Sequence, residues 1–202
     1  MNPRDAALDF LTPGLRADLL ERWSDPRRAY HGPAHLDRVL RALDLLAERG
    51  EPFDPTSVRL AAWFHAAEFD PTGSESTERS AQLAERLLDP AAPVAEVARL
   101  VRVLAGHRVE PGDPDAAVLS DADLSVLGSG EDAYDEYVAQ VRREYAHVPE
   151  ERFRAARRAV LDSLLGRRAI FHTTAGRDEW ERRARANLHR ELAGAVEPPG
   201  PA

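Results

Sequence analysis

Seven histidines are spread along this chain: His31, His35, His65, His107, His147, His172 and His189. His35 opens an amphipathic stretch, and His65 follows the apolar run Leu60, Ala61, Ala62, Trp63 and Phe64. Asp121 and Asp123 form a short acidic turn between Val118 and Leu119 on one side and Leu124, Val126 and Leu127 on the other. Polar groups set in core-facing segments need partners, because burying one unpaired costs on the order of a few kcal/mol. A metal ion shared among three helices supplies partners to all of them, so His35, His65 and one or both of the aspartates are candidate ligands.

Two further histidines adjoin this set. His107 comes just after an apolar helix ending at Leu104 and just before the acidic turn. It suits a general acid, or equally a helix-end histidine held by the dipole. His31 is spaced like a zinc-binding His-x-x-x-His partner of His35. Gly32-Pro33 intervenes, so we place His31 outside the helix, lining the mouth of a pocket together with Tyr30. His147, His172 and His189 have no ligand type at useful spacing and read as structural or surface residues. Trp63 and Phe64 read as core.

The elements that must position these groups are helical. Alanine, leucine, arginine and glutamate dominate, and β-branched and aromatic residues are sparse. Leu36, Val39, Leu40, Leu43 and Leu46 repeat at close to 3.6 residues, as do Val94, Val97, Leu100, Val101 and Leu104, and Val160, Leu161, Leu164 and Leu165. No stretch alternates with period two. We therefore expect an all-α fold of about nine helices in one bundle-like domain over residues 1–193. The tail, 194–202, is rich in proline and glycine and is expected to be disordered.

Punctuation sets the boundaries. Pro33 starts a helix that Gly50 closes, and Asp54-Pro55-Thr56 opens one over 56–67. Ser74 or Ser76 caps a helix ending near Leu88, and another covers 93–105. Further helices are predicted over 115–127, 131–146, 149–167 and 177–192.

Composition removes several classes. There is no cysteine, hence no disulfide scaffold, thiolate zinc site or cysteine nucleophile. All 27 basic residues are arginine, against 35 acidic ones, and the net charge is −8. Arginine in place of lysine reads as the coding bias of a GC-rich genome. An acidic chain with no basic stripe argues against nucleic acid. No apolar run is long enough for a membrane span and the N-terminus lacks an apolar signal core. We expect a soluble cytoplasmic protein, a monomer or homodimer, working on a small molecule. No glycine-rich phosphate loop or Gly-x-Ser-x-Gly elbow is present.

In order, the motifs YHGPAHLDRVL (30–40), AAWFHAAEFDP (61–71), ESTERSAQLAERLL (75–88), AGHRV (105–109), LSDADLSVLG (119–128), VRREYAHVP (141–149) and RARANLHREL (183–192) resemble the HD superfamily of metal-dependent phosphohydrolases, in particular its small bacterial members. The resemblance spans about residues 20–192. It implies that His35 and His65 are metal ligands and Asp123 the distal aspartate ligand, with Asp121 an alternative. It implies one divalent metal, and imidazole with carboxylate suits Mn, Fe, Co, Ni or Zn. Such a metal lowers the pKa of bound water and neutralises phosphoryl charge. It implies hydrolysis of a phosphate ester of a small metabolite or a nucleotide. Glu78 is then a carboxylate near the site, or else part of a solvated helix face. Arg142 is then a phosphate contact through its planar fork, or else a surface ion pair.

One position departs from the pattern. The aspartate expected after His65 is Ala66, and a methyl group ligates nothing. Three readings follow: an inactivating substitution in an ordinary enzyme, a small-molecule binding or regulatory protein that keeps the pocket without the chemistry, or replacement by Glu68, three residues past His65 on the same helix face.

Overall fold

Proline opens four of the helices, at residues 13, 33, 55 and 114. Its missing N–H falls where no helical partner exists, and its fixed φ is already helical. The preceding residue often completes the cap. Thr12 Oγ1 accepts from the Leu15 amide at 3.2 Å. The Asp54 carboxylate takes Thr56 and Ser57 at 3.2 and 3.0 Å, and Asp113 takes Ala116 at 3.1 Å.

The computed structural model describes residues 9–73 and 75–194. In order it contains α1 (Pro13–Trp23), α2 (Pro33–Glu48), α3 (Pro55–Phe64), α4 (Ser76–Leu87), α5 (Val94–Val103), α6 (Pro114–Leu124), a 3-10 turn (Ser125–Gly128), α7 (Glu131–Glu144), α8 (Glu150–Leu165) and α9 (Arg182–Leu192). A single turn (Thr174–Gly176) and a π-helical stretch (Arg177–Glu181) run directly into α9. Among the described residues there are nine α-helices of at least 10 residues and no strand. The all-α expectation holds. None of these helices is long and apolar enough to cross a membrane.

The helix α1 was not located by the boundary signals, although Thr12-Pro13 is one. The helix expected over 56–67 stops at Phe64. Beyond it the chain turns, with Ala67 N–H on the Phe64 carbonyl and Phe69 N–H on the Ala66 carbonyl, and the Arg28 guanidinium holds this turn through the carbonyls of Ala66 at 2.6 Å and Ala67 at 2.9 Å. The next helix begins at Ser76 behind Glu75, which makes no side-chain cap; Ser74 lies outside the described residues, as do 195–202 of the tail.

α3 is the hub. It is buried all round and packs against α2, α4, α5 and α6. α2 turns Leu36, Val39, Leu43 and Leu46 inward, and each fully buried leucine contributes roughly 1.5–3 kcal/mol by leaving water. The Trp23 indole N–H donates to the Trp63 carbonyl at 2.9 Å, locking α1 onto α3. On α8, Leu161 and Leu164 enter the core as expected, but Val160 does not: it is half exposed.

Two glycines permit close approach. A Cβ at Gly128 would sit 2.8 Å from Trp180 Cα, within the π-helical stretch. A Cβ at Gly176 would overlap the Asp121 carboxylate and lie 2.8 Å from Thr173 Oγ1. The approach to α9 is thereby clamped against the end of α6.

Candidate metal centre

The packing of α2, α3 and α6 brings three helix ends to one point. His35 sits in the first turn of α2, behind the extended Gly32 and Pro33. His65 is the residue on which α3 ends. Asp123 lies one residue before the end of α6. His35 Nε2 lies 3.0 Å from His65 Nε2 and 3.1 Å from Asp123 Oδ1. His65 Nε2 is 3.6 Å from the same oxygen. Ligand atoms on bonds of about 2.1 Å, at octahedral to tetrahedral angles, are spaced by about 3.0–3.4 Å; two of the three distances fall in that range and the third is slightly wider, so the group could hold one cation after a small adjustment.

Proton placement leaves His65 ready to ligate, whereas His35 would first have to give up its Nε2 proton. The Ala62 carbonyl lies 2.7 Å from His65 Nδ1. A carbonyl only accepts, so Nδ1 carries the proton and Nε2 presents a bare lone pair. His35 Nδ1 is buried and makes no hydrogen bond among the described residues. Its proton therefore belongs on Nε2, in the gap between Asp123 and His65. That gap is where a cation would sit.

Charge agrees. Burial pushes His35 down to about 4, against the opposing pull of Asp123. Burial also lowers His65 and His107. Burial alone would raise Asp123, but the His35 hydrogen bond and the surrounding imidazoles outweigh it and hold the carboxyl well below the usual range. At neutral pH the cluster is neutral imidazoles around one carboxylate, the donor set a divalent transition metal takes.

His107 joins from the other side of the carboxylate, with Nε2 3.5 Å from Asp123 Oδ2. Its Nδ1 is 3.0 Å from Ser120 Oγ, one turn back on α6. The backbone at His107 has φ +49°, uncommon for a residue with a Cβ. That conformation is maintained by the surrounding fold and aims the ring at Asp123.

Tyr30 and His31 lie beside the cluster, outside α2 as the Gly-Pro pair implied. The Tyr30 and His35 ring centroids are 4.8 Å apart. Glu144 holds this segment: its buried carboxylate accepts from the Tyr30 and His31 amides at 3.0 and 2.9 Å and from His31 Nδ1 at 2.6 Å. Trp23 forms a wall behind the centre, with its ring 5.1 Å from His65.

Four other candidates are placed elsewhere. Asp121 is two residues from Asp123, which on a helix turns it to the far side. Its carboxylate takes the His172 and Thr173 amides at 2.7 and 2.8 Å and the Thr173 hydroxyl at 2.7 Å. Burial raises it to about 6, yet three donors keep it an anchor for the 172–173 segment. Glu68 does not replace the missing carboxylate. Because α3 ends at Phe64, the same-face spacing from His65 is lost, and Glu68 pairs with Arg22 instead. Glu78 forms a surface fork with Arg102 at 2.8 and 2.7 Å. Arg142 is buried, reaching Glu150 at 2.9 Å and the Tyr145 and Val148 carbonyls at 2.7 and 3.2 Å. It pins the turn from α7 to α8 and does not line the cavity.

Sequence reasoning missed Ser120 and the supporting role of Glu144. A signal for Glu144 existed: an acid in the last turn of a helix opposes the dipole and needs a partner. The centre opens into a cavity lined in part by Tyr30 and His31, the residues expected at a pocket mouth. It holds about 500 Å³ and has Asp123, His107, His31 and Tyr30 on its polar side. Compared with protein-family models, curated proteins and solved structures, the chain matches none.

Proposed function

We propose that the protein is a metal-dependent hydrolase of small phosphate esters, organised on the HD pattern that its sequence resembles. One observation carries this reading: donors from three helices, His35, His65 and Asp123, meet within 3.0–3.6 Å beside a cavity large enough for a small molecule. These three residues would hold one divalent metal from among Mn, Fe, Co, Ni and Zn. Bound there, it supplies an activated water and neutralises phosphoryl charge.

The chain's own groups provide the rest. His107 is held by Ser120 beside Asp123, in reach of the cavity, and is suited to protonate the leaving oxygen. Burial lowers its pKa, so it carries little proton at neutral pH and the reaction gains from mild acid. Trp23, Tyr30 and the apolar core exclude water behind the centre. The setting is a cytoplasmic protein, monomer or homodimer, with no nucleic acid or membrane partner.

Ala66 weakens the site by one carboxylate, and His35 Nδ1 lacks the hydrogen bond that normally steadies a ligating imidazole. The chain should bind metal at low occupancy and turn over slowly. Elemental analysis and manganese-supported phosphatase assays on the chain, Ala66→Asp and His65→Ala provide the test. Metal content and turnover should rise in Ala66→Asp and vanish in His65→Ala; equal metal in all three overturns the assignment. Ala66 also favours a second reading, a binding or regulatory protein. It wins if Ala66→Asp binds metal and ligand but hydrolyses nothing.

A further inference from the structure

The cavity's walls differ in kind from its floor. On one side stand Leu124, Val126 and Leu127, from the end of α6 and the 3-10 turn; on the other, Phe153, Ala156 and Val160. The last three are spaced i, i+3 and i+7, on one face of α8. Val160, which periodicity assigned to the core, remains 50% exposed while lining the cavity, so this end of the face borders an open space.

The cations near this space are committed. Arg157 is the arginine in the lining, and its three nitrogens go to Glu191 at 2.8 and 3.1 Å and to the Tyr137 hydroxyl at 2.9 Å. His31 is held by Glu144 at 2.6 Å, and Arg142 is tied to its own turn. The one guanidinium in the lining is therefore ion-paired; Arg38, 5.8 Å over the Tyr30 ring with one buried nitrogen unpartnered among the described residues, lies outside it. Apart from the Tyr137 and Tyr145 rings, the wall facing a sugar and a base is leucine, valine, phenylalanine and alanine, against which most of their hydroxyls and ring nitrogens would be buried unpaired.

We infer that the ligand has an apolar body and one compact polar head: an aryl or alkyl phosphate monoester, not a nucleotide. This rests on the phosphohydrolase reading of the centre. The head meets His107 and the His35–His65–Asp123 cluster, while the body, roughly naphthalene-sized, lies between the end of α6 and α8.

Calorimetric binding tests this on the chain as it stands, with 1-naphthyl phosphate, 1-naphthol, adenosine 5′-monophosphate and inorganic phosphate, each with and without manganese. 1-Naphthyl phosphate should bind at least tenfold tighter than the nucleotide. Val160→Asp, at a half-exposed position, should weaken naphthyl phosphate at least tenfold and leave metal content unchanged. A nucleotide binding as tightly as naphthyl phosphate, no binding by either naphthyl compound, or unchanged affinity in Val160→Asp overturns the inference. Equal binding of naphthol and naphthyl phosphate, indifferent to manganese, upholds the apolar body and removes the phosphohydrolase reading instead.

Discussion

His35 Nε2 and His65 Nε2 face each other at 3.0 Å with one proton between them, and Asp123 closes the third side. Without a metal the pair is a neutral N–H···N hydrogen bond, and a metal bound by both rings would take that proton's place. The two rings come from helices whose sequence positions are 30 residues apart, so the contact exists because α2 and α3 pack against one another.

Removing the charge from that triangle should show in metal affinity. In Asp123→Asn the site keeps its shape but loses its anion. Loss of a supporting carboxylate typically weakens metal sites by about 10–100-fold, and here the carboxylate is itself a donor, so at least that much is expected. Competition against a manganese-sensitive dye measures it. Affinity equal to the parent chain would show that Asp123 is not a ligand.

Acid should destabilise the metal-free fold. Burial holds His35 at about 4, below its ordinary 6.5, so the unfolded chain binds the proton more readily. Stability from this group is complete above about 6.5 and declines as pH falls toward 4. Between pH 7 and 5 that is about 2 kcal/mol from His35. His65 and His107, also lowered by burial, act in the same direction. Asp121 acts in the opposite one: raised to about 6, it gains as pH falls through the same range, which offsets part of the loss. Urea unfolding with chelator present should give a lower midpoint at pH 5 than at pH 7. A rise toward acid would mean that the imidazoles are not buried in neutral form.

Gly176→Ala should damage the clamp on the approach to α9. The added methyl would strike the Asp121 carboxylate, which is itself fixed by three donors. Overpacking of this kind costs about 1–3 kcal/mol. For a chain of this size that lowers Tm by roughly 3–10 °C. Differential scanning calorimetry reads the shift, and an unchanged Tm would argue against the close approach.

Arg142→Ala separates a structural arginine from a phosphate contact. It removes bonds to Glu150 and to two turn carbonyls, a loss of about 1–3 kcal/mol. Tm should fall while naphthyl phosphate affinity below the transition stays within about twofold. If affinity collapses and Tm holds, the arginine contacts the ligand after all.

Helical character and most helix starts were readable directly, because they depend on neighbours a few residues apart. Asp54-Pro55-Thr56 caps α3 wherever that helix lies in space, and Leu36, Val39, Leu43 and Leu46 share a face whatever they meet. His35, His65 and Asp123 were also recognisable as polar groups in apolar settings that required partners. Choosing between Asp121 and Asp123 was not possible at that level, since both fit the same turn. That choice follows from which side of α6 meets α2 and which meets the 172–173 segment. The Glu68 alternative assumed that the helix runs on past His65, whereas α3 ends at Phe64 and Arg28, about forty positions earlier in the chain, holds the turn that follows through the Ala66 and Ala67 carbonyls. Of the two readings of Arg142 the structure shows the ion pair, with Glu150 and buried, and on α8 Val160 lines the cavity where periodicity had placed it in the core. Periodicity is a property of one helix, whereas a partner, a cavity or a ligand set exists only between helices, where the packing of the whole chain sets distances of a few ångströms.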